Sequence, residues 1–261
     1  FSDITKTKPE RSLVKRLNRH SGRNNTGQIT VRHRGGGVKR LYRIVDFKRT
    51  NFDQVGEVIA IEYDPNRGPR VILVEYEGGK KAYHLGYAGV AVGDKICSSN
   101  AKIEPTPGAR MPIGEIPIGM SIYNLELQPG KGGQMVRGAG LAAQLQAVDG
   151  KHAQVKLPSS EMRLIPKTCL ATVGRIGNSD YRLVRWGKAG RMRMKGWRPI
   201  VKGKNMNPVD HPHGGGEGHS PIGLKGGPKT PWGKKALGVK TRNKKKASSS
   251  LIVQRRKHKR K

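Results

Sequence analysis

Apolar residues alternate with polar ones in a series of short runs between residues 42 and 176. A period of two residues is typical of half-buried β-strands, and short strands separated by turn residues favour small barrels. The pattern predicts strands at 42–48, 58–63, 70–76 and 80–85, and then a second series at 95–98, 121–127, 142–148, 153–157, 161–165 and 169–176. We therefore expect an all-β fold with two successive barrels.

Turn residues separate these predicted strands at three clear places. Residues 64–69 read Asp-Pro-Asn-Arg-Gly-Pro, which ends one strand. Gly78-Gly79 and Asp149-Gly150 each lie between two predicted strands. Because glycine readily adopts the positive φ angles of a tight turn, both dipeptides predict antiparallel hairpins.

The two ends of the chain are strongly basic, and the apolar period is lost from Gly187 onward. Residues 1–52 carry 14 lysines and arginines against 3 carboxylates, whereas residues 53–185 carry 16 against 13. Residues 186–261 carry 22 against 2, so most of the formal net charge of +34 lies in the ends. A basic arm with few apolar residues cannot bury a core, so we expect it to order on a partner. Charge of this density indicates a polyanion.

Several other classes of protein fit the sequence poorly. Cys97 and Cys169 share no metal-ligand spacing, so we expect buried, unpaired residues in a protein of a reducing compartment. No apolar stretch reaches the ~20 residues that span a bilayer, so no membrane partner is expected. The glycine-rich segments 129–140 and 223–230 lack the residue order of nucleotide-binding loops. We therefore expect no small-molecule substrate.

Both arms and the glycine-rich loop mix arginine, lysine, amide and glycine residues in a way that suits contacts with phosphate and sugar. The RNA-binding residues predicted from this mixture are Arg23, Asn24, Asn25, Arg32, His33, Arg34, Lys39, Arg40, Lys131, Arg191, Arg193 and Arg198. The alternative for residues 21–40 is a flexible, solvated linker. Trp197 and Trp232 either stack on bases or anchor the tail to a barrel.

Residues 207–218 form the most distinctive segment, Asn-Pro-Val-Asp-His-Pro-His-Gly-Gly-Gly-Glu-Gly. Its prolines and glycines predict a loop with specified backbone angles. Its candidate functional residues are Asn207, Asp210, His211, His213 and Glu217. Three roles are open to them, namely general-base catalysis, zinc binding, or capping of the loop's own turns combined with RNA contact. We favour the third, with no catalytic residue and no bound metal, because no nucleophile lies nearby and no standard ligand spacing is present.

The chain resembles the bacterial-type ribosomal protein L2 family. The resemblance rests on the segments 1–13, 22–25, 32–37, 42–49, 62–67, 129–137 and 206–218. It implies an OB-like barrel followed by an SH3-like barrel, with basic N- and C-terminal extensions that thread into large-subunit ribosomal RNA. It also implies that Arg49, Arg67 and Arg137 grip this RNA, and that the loop around His211 points towards the peptidyl-transferase region.

Together, the resemblance and the charge pattern predict an N-terminal extension at 1–20, an OB-like barrel at 21–105, an SH3-like barrel at 106–186 and a basic extension at 187–261. The implied role is that of a structural, non-enzymatic component of a cytoplasmic or organellar ribosome, which supports subunit association and assembly of the peptidyl-transferase region. The expected partners are large-subunit RNA, neighbouring ribosomal proteins, and small-subunit RNA across the interface. No cofactor is expected apart from Mg²⁺ carried by bound RNA.

Two features depart from the family's pattern. A tryptophan-containing segment is usual where this chain has residues 191–194, and here the tryptophan lies later, at Trp197. The chain also starts at Phe1 without the usual leading residues, which implies a truncated N-terminus. Two other functions are open to the residues alone. A free-standing RNA chaperone or nucleoid protein would not need the specified loop, and a metal-dependent hydrolase would use its histidines and carboxylates.

Overall fold

The computed structural model describes residues 1–217, 219–243 and 245–256. The strands are β1 (Val14–Arg16), β2 (Leu41–Arg43), β3 (Gly56–Glu62), β4 (Val71–Tyr76), β5 (Lys80–Leu85), β6 (Lys95–Ile96), β7 (Arg110–Pro112), β8 (Ser121–Tyr123), β9 (Ala143–Asp149), β10 (His152–Lys156), β11 (Met162–Pro166), β12 (Leu170–Val173) and β13 (Ile252–Gln254). The described part has one α-helix, α1 (Ala189–Met194), and short 3₁₀ helices at Arg11–Leu13, Glu77–Gly79, Ile113–Glu115, Ser179–Leu183, Gly203–Asn205 and Ala247–Ser249. None of the described helices is long and apolar enough to cross a membrane.

The chain divides into two compact units. Among the described residues, unit 1 contains Phe1–Leu17, Lys39–Arg185 and 247–256, and unit 2 contains Asn18–Val38, 186–217, 219–243 and 245–246. The apolar core cluster, from Val45 to Ile176, lies entirely in unit 1. Unit 2 therefore lacks an apolar core in its described residues, as the composition of the arms predicts.

Unit 1 contains two larger antiparallel sheets and one small one. The first has the strand order β5-β4-β3-β6, and the second has the order β13-β11-β10-β9-β8-β12-β7. Strands β1 and β2 pair separately. Along β10, buried residues alternate with more exposed ones: Ala153 and Val155 on one face are fully buried, while their neighbours on the other face are not. The alternation in the sequence thus correctly predicts an all-β protein.

Both predicted hairpins are present. Gly78 and Gly79 have φ angles of 78° and 72° and connect β4 to β5, with Tyr76 paired to Lys80. Gly150 has a φ of 53° and connects β9 to β10, with Asp149 paired to His152. Positive φ is the backbone conformation for which glycine is favoured at these turns.

Several strands are shorter than their apolar patterns predict, and three of them end at local turns. The strand expected at 42–48 ends at Arg43, and the carboxylate of Asp46 then accepts hydrogen bonds from the backbone N–H groups of Lys48 and Arg49. The strand expected at 121–127 ends before Asn124, whose φ of 51° is left-handed, and the strand expected at 169–176 ends before Gly174, whose φ is 110°. In each case, a local turn conformation interrupts an apolar pattern that continues along the chain.

Other elements were not predicted at all. β7 and β13 each have only three residues, which is too short for alternation to be recognised. Helix α1 forms at Ala189–Met194, where the loss of apolar periodicity predicted no regular structure. All of its residues are exposed, so no buried face exists to give the sequence a helical period.

The two cysteines are free. Cys169 is fully buried as predicted, and burial raises the pKa of its thiol to about 11. Cys97 is only half-buried, because it lies just after the short edge strand β6.

A buried ion pair ties the second sheet to the glycine-rich loop. Arg110 and Glu126 are 0% and 1% exposed, and Arg110 Nη2 donates to Glu126 Oε1 at 3.0 Å. Glu126 also accepts hydrogen bonds from the N–H groups of Gly130, Gly132 and Leu170. Burial lowers the pKa of Arg110 to about 10, opposed by the charge of Glu126. The carboxylate thus holds together parts of the chain that are far apart in sequence.

The stability of unit 1 should fall on acidification, because His84 is fully buried between Tyr76 and Asp46. Its Nε2 accepts the Tyr76 hydroxyl at 2.8 Å, while its Nδ1 lies 3.3 Å from the carbonyl oxygen of Asp46. Burial, followed by the charge of Arg49, holds the pKa of His84 well below its usual 6.5. Below pH 6.5 the unfolded chain therefore binds a proton at His84 that the folded chain does not bind. The contribution of neutral His84 to the stability of the fold is present above pH 6.5 and is lost progressively below it.

We expect the free energy of unfolding to decrease below that pH by about 1.4 kcal/mol per pH unit from this residue. Urea-induced unfolding at about pH 7.5 and about pH 5 measures the effect. The variant His84→Gln should lose most of this pH dependence, whereas His152→Gln, at a partly exposed position, should keep it. Equal pH dependence in wild type and His84→Gln would assign the effect to other groups.

Candidate nucleic-acid interface

Arg67 and Arg137 in unit 1 lie against the same aromatic ring, that of Phe47. Their guanidinium carbons are 5.8 and 4.4 Å from its centroid. Arg67 is also 5.5 Å from the ring of Tyr42, and its Nε pairs with Asp64 Oδ2 at 2.9 Å. These contacts orient the guanidinium groups before a ligand binds. The exposed N–H groups of Arg137 suit the oxygen atoms of phosphate, whereas the side chain of Arg67 is only 15% exposed and its Nη1 is buried.

The backbone beside Arg137 is strained. Val136 has a φ of 52°, a value that β-branched residues rarely adopt. Its carbonyl accepts the Asn124 N–H at 2.9 Å, and its side chain is only 8% exposed. Such strain costs about 1–3 kcal/mol and persists where the surroundings hold it, often at functional sites. Here it accompanies the outward placement of Arg137, whose side chain is exposed.

The glycine-rich loop at 129–140 uses its glycines differently from the sequence prediction. We expected them to admit an RNA backbone, but the Gly133 N–H donates to the Phe47 carbonyl at 2.9 Å. A Cβ at Gly132 would lie 2.9 Å from Lys48 Cγ. These two glycines therefore allow the loop to approach its own protein, whereas Gly130 faces open space.

Arg49 is a correction to the predicted set of RNA contacts. Its side chain is 2% exposed, and its Nη1 donates to the carbonyl oxygen of Gly108 at 2.7 Å. It is therefore a core residue, and this burial leaves no surface for RNA. Arg40 donates to the Pro65 carbonyl at 3.1 Å, next to the turn that carries Arg67, while Lys39 and Lys131 are exposed.

Unit 2 contains a cleft of about 420 Å³ lined by four arginines and His33. The arginines are Arg23, Arg32, Arg34 and Arg198. No carboxylate lines this cleft. Four cations around one space of this size repel one another, so a bound polyanion would stabilise the arrangement.

This cleft is built by pairing of the two basic arms. Gly35 N–H donates to the Gly196 carbonyl at 3.0 Å, and Arg198 N–H donates to the His33 carbonyl at 3.1 Å. A Cβ at Gly37 would lie only 2.7 Å from the carbonyl oxygen of Met194, so this close approach requires glycine. The predicted RNA-binding segments near residues 34 and 198 are thus brought together by backbone hydrogen bonds.

The tryptophans of unit 2 contact arginines. The guanidinium carbon of Arg34 is 3.4 Å from the ring centroid of Trp197, and that of Arg32 is 5.3 Å from the ring centroid of Trp232. Trp232 is 73% exposed, so much of its ring is open to solvent. Cation–π contact orients the arginines, and the exposed ring suits stacking on a base.

The other predicted contacts of unit 2 lie at its surface. Asn24 Oδ1 accepts hydrogen bonds from the N–H groups of Thr26 and Gln28, so this side chain caps its own turn. Asn25 is exposed. Arg191 and Arg193, on α1, are exposed, and each donates to a tryptophan carbonyl at 3.2 Å.

The charge of unit 2 is almost entirely of one sign. Residues 18–38 and 186–246 contain 20 lysines and arginines and 2 carboxylates, Asp210 and Glu217. At this charge density, long-range attraction to a polyanion is strong and falls steeply with salt.

His211 is the buried residue around which the loop at 207–217 packs. At 8% exposure, it is the one buried residue among those described in unit 2. Its Nδ1 accepts the His213 N–H at 3.0 Å, and its carbonyl accepts the Gly214 N–H at 2.8 Å. A Cβ at Gly203 would lie 2.6 Å from the ring, so the imidazole packs directly on that backbone.

Neighbouring groups continue this capping pattern. His213 Nε2 accepts the Lys229 N–H at 2.8 Å, and the two imidazole centroids are 4.6 Å apart. The N–H groups of Asp210 and His211 point to the Asn207 carbonyl at 3.0 and 3.3 Å. Each imidazole therefore has one nitrogen committed as an acceptor for a backbone N–H.

The carboxylates of the loop do not share the burial of His211. The side chains of Asp210 and Glu217 are exposed, and Val209 at the tip is 90% exposed. Within the described residues, no group of three or more histidine, cysteine, aspartate and glutamate side chains is arranged to hold a metal ion. The side chains of His211 and His213 therefore lie together, whereas those of Asp210 and Glu217 are exposed. Gly218, the last residue of the predicted loop, lies outside the described residues.

Sequence reasoning missed several residues that build these surfaces. Phe47 was interpreted as an ordinary strand residue, although it is the platform for two arginines. Val136 and Gly203 carry no signal in a single sequence, because their roles depend on a backbone angle and on a distant ring. The one sequence signal that could have identified Phe47 is that it is an aromatic residue close to basic segments.

Preoriented arginines on an all-β frame, together with a nearly carboxylate-free second unit, define an RNA-binding protein. Two family models match the chain: "Ribosomal Proteins L2, RNA binding N-terminal domain" over residues 10–98, and "Ribosomal Proteins L2, C-terminal domain" over residues 106–233. The chain belongs to the ribosomal protein L2 family.

Family membership confirms the main sequence predictions. The protein is a structural component of the ribosome that binds ribosomal RNA, and its family is not one of enzymes. The fold is that of an OB-like barrel followed by an SH3-like barrel. The N-terminal match contains β1 to β6, and the C-terminal match contains β7 to β12 together with α1.

Proposed function

We propose that this protein is a structural constituent of the large ribosomal subunit. It grips large-subunit RNA with Arg67 and Arg137, and its basic unit 2 follows the RNA backbone. In this role it supports subunit association and assembly of the peptidyl-transferase region, next to other ribosomal proteins and to small-subunit RNA. The ribosome is cytoplasmic or organellar, and the role requires no cofactor apart from any Mg²⁺ that the bound RNA carries.

The observation that carries this proposal is the shared contact of Arg67 and Arg137 with Phe47. Two cations fixed at one ring form a rigid patch, which suits the shape of a folded RNA backbone better than a flexible basic tail does. A free-standing chaperone must release its RNA and gains nothing from preoriented contacts. A permanent particle component gains affinity from them.

Within this proposal, the loop around His211 acts by its shape. The buried imidazole holds the turn, while Val209 and Asp210 at the exposed tip are available to RNA. The peptidyl-transfer reaction belongs to RNA, and His211 supports the architecture of that region rather than proton transfer.

Sucrose-gradient sedimentation tests the proposed role. A lysate that contains the protein is separated at low Mg²⁺, which dissociates the subunits, and again after a high-salt wash. We expect stoichiometric co-migration with the large subunit under both conditions. If the protein remained at the top of the gradient or washed off completely, the hypothesis of a free-standing RNA chaperone would replace the proposed ribosomal role.

Replacement of His211 should separate RNA binding from subunit function. In His211→Gln the flat ring that packs on Gly203 is lost, while the RNA-binding arginines are unchanged. We expect affinity for large-subunit RNA within about 2-fold of wild type. Peptidyl-transferase activity of reconstituted subunits should fall about 10-fold, as expected for a loss of ~1.4 kcal/mol in loop hydrogen bonding and packing.

The matched control is His219→Gln, at an exposed position in the same arm. It should leave both RNA affinity and subunit activity unchanged. Full activity of subunits that carry His211→Gln would contradict the proposed role of the loop.

A further inference from the structure

The four-arginine cleft of unit 2 contains hydrogen-bond donors that the protein does not use. Among the described residues, the guanidinium groups of Arg23, Arg32 and Arg198 donate no hydrogen bond and take part in no ion pair, and all three side chains are exposed. A guanidinium group carries several N–H donors and no acceptor. The free surface of this cleft is therefore one of positively charged donors, so a ligand for it must be a negatively charged acceptor.

The lining of this cleft favours phosphate over a nucleobase. Bases in protein sites commonly stack on aromatic side chains. The lining offers one apolar side chain, Ile29, and the imidazole of His33, whose Nδ1 donates to the Pro199 carbonyl at 2.9 Å. The ring of Trp197 is covered by the guanidinium of Arg34, 3.4 Å from its centroid. Four cations without a carboxylate instead match the oxygen atoms of phosphate, which accept pairs of N–H groups.

The charge and the size of the cleft exceed what one phosphate needs. A phosphodiester group carries a single negative charge, so one group would leave three of the four arginines uncompensated. The cleft encloses about 420 Å³, whereas a water molecule takes up ~30 Å³ and a phosphate group the space of a few water molecules. Two phosphates therefore match both the charge and the volume of the cleft better than one.

The cations of the cleft come from both basic arms. Arg23, Arg32 and Arg34 belong to residues 18–38, whereas Arg198 belongs to residues 186–246. A ligand in the cleft therefore contacts both arms. The phosphates of a regular RNA helix lie along its outside, whereas a sharp turn of the strand brings phosphates of different backbone segments close together. Such a turn concentrates negative charge in the way that this cleft concentrates positive charge.

The pairing of the two arms has little other support. Unit 2 lacks an apolar core in its described residues, and near the cleft the arms are joined by the hydrogen bonds from Gly35 to Gly196, from Arg198 to His33 and from His33 to Pro199. Repulsion among the cations opposes this pairing, and a bound anion removes the repulsion. Binding of phosphate and pairing of the arms should therefore favour each other.

We propose that this cleft binds two backbone phosphates that a sharp turn of the RNA strand brings close together, and that the bound phosphates hold the two basic arms in their paired arrangement. The proposal rests on the proposed function and adds to it the kind of RNA structure that unit 2 selects. Close phosphates repel one another in free RNA. The arginines compensate this charge, so the protein stabilises a turn that otherwise depends on counterions.

Nuclear magnetic resonance of the full isotope-labelled chain tests the cleft with three small probes at equal ionic strength. These are pyrophosphate, which links two phosphate groups, inorganic phosphate, and citrate, whose charge is close to that of pyrophosphate. We expect pyrophosphate to shift the amide signals of Gly35, Gly36 and Arg198 saturably, with half-saturation at a concentration about 10-fold lower than for either other probe. Equal half-saturation for pyrophosphate and another probe, or unsaturable shifts spread over unit 2, would overturn the proposal.

A variant that removes one cation from the cleft provides the second measurement. Arg198→Gln keeps the backbone hydrogen bond from residue 198 to the His33 carbonyl. It should raise the half-saturation concentration of pyrophosphate and lower affinity for large-subunit RNA, each by about 10-fold. The control Lys225→Gln removes an equal charge at an exposed position of unit 2 outside the cleft. It should leave the pyrophosphate titration within about 2-fold of wild type.

Hydroxyl-radical probing of the bound large-subunit RNA, which reports on its backbone, distinguishes the two proposals. We expect Arg198→Gln to lose protection at two backbone segments that are separated in sequence, both of which wild type and Lys225→Gln protect. Loss at one continuous segment, or protection and affinity identical to wild type, would refute the cleft while leaving the proposed function intact. If the wild type itself did not bind large-subunit RNA, the proposed function would fail and the cleft would lose its ligand with it.

Discussion

Charge reversal at Arg137 is expected to weaken binding to large-subunit RNA by roughly 10- to 100-fold, the equivalent of one or two charge-assisted hydrogen bonds and the added repulsion. The guanidinium is exposed and fixed by the ring of Phe47, 4.4 Å away. Arg137→Glu removes this preoriented cation and places a carboxylate where phosphate is expected. The slope of log affinity against log salt should also decrease by about 1, because fewer counterions are released.

Filter binding to large-subunit RNA at several salt concentrations measures both effects. Lys156→Glu, an equal charge change at an exposed position on β10, is the matched control and should change affinity much less. For Arg67 the better variant is Arg67→Lys, because a glutamate there would repel its partner Asp64. Arg67→Lys keeps the charge but loses the planar donor pattern, so it should weaken binding with little change in salt slope. Equal losses for Arg137→Glu and Lys156→Glu would mean that only total charge matters.

Glu126→Gln is expected to cost about 3–5 kcal/mol in the free energy of unfolding, the range seen when one partner of a buried ion pair is removed. Arg110 would then be a fully buried cation without its counter-charge, and its Nε already lacks a hydrogen-bond partner. The new amide group would also face the N–H groups of Gly130, Gly132 and Leu170, which are donors themselves.

Urea-induced unfolding at neutral pH measures this loss. Glu115→Gln, at an exposed position on the neighbouring 3₁₀ helix, should change stability by less than ~0.5 kcal/mol. The double variant Arg110→Met, Glu126→Leu should be more stable than Glu126→Gln, because it leaves no buried charge unpaired. A loss below ~1 kcal/mol for Glu126→Gln would show that water or a structural shift compensates Arg110.

The glycines show how far local sequence signals reach. Gly78 and Gly150 were predicted in hairpins, and they adopt the positive φ angles that such turns need. Gly133 and Gly37 were predicted to face RNA, yet each one allows a close approach to another part of the protein. A single sequence indicates that a position is free of a side chain, but not what occupies the space.

The histidines and arginines show the same limit for polar residues. Arg49 and His211, like Arg34 and Arg137, were expected at an RNA surface. The structure buries the first two and brings the second two against aromatic rings. Whether a residue is buried depends on which distant segment of the chain covers it. The neighbouring sequence does not contain this information.

The sequence by itself determined the all-β class, the two hairpins, the near-neutral centre and the basic ends. These features follow from side-chain alternation, from backbone preferences of single residues and from charge, all of which act over a few residues. Only the tertiary structure decided that residues 18–38 pair with residues 186–246, that Phe47 carries two arginines, and that His211 is a buried pivot. Each of these depends on contacts between residues far apart in the chain, which form only when the whole chain minimises its free energy.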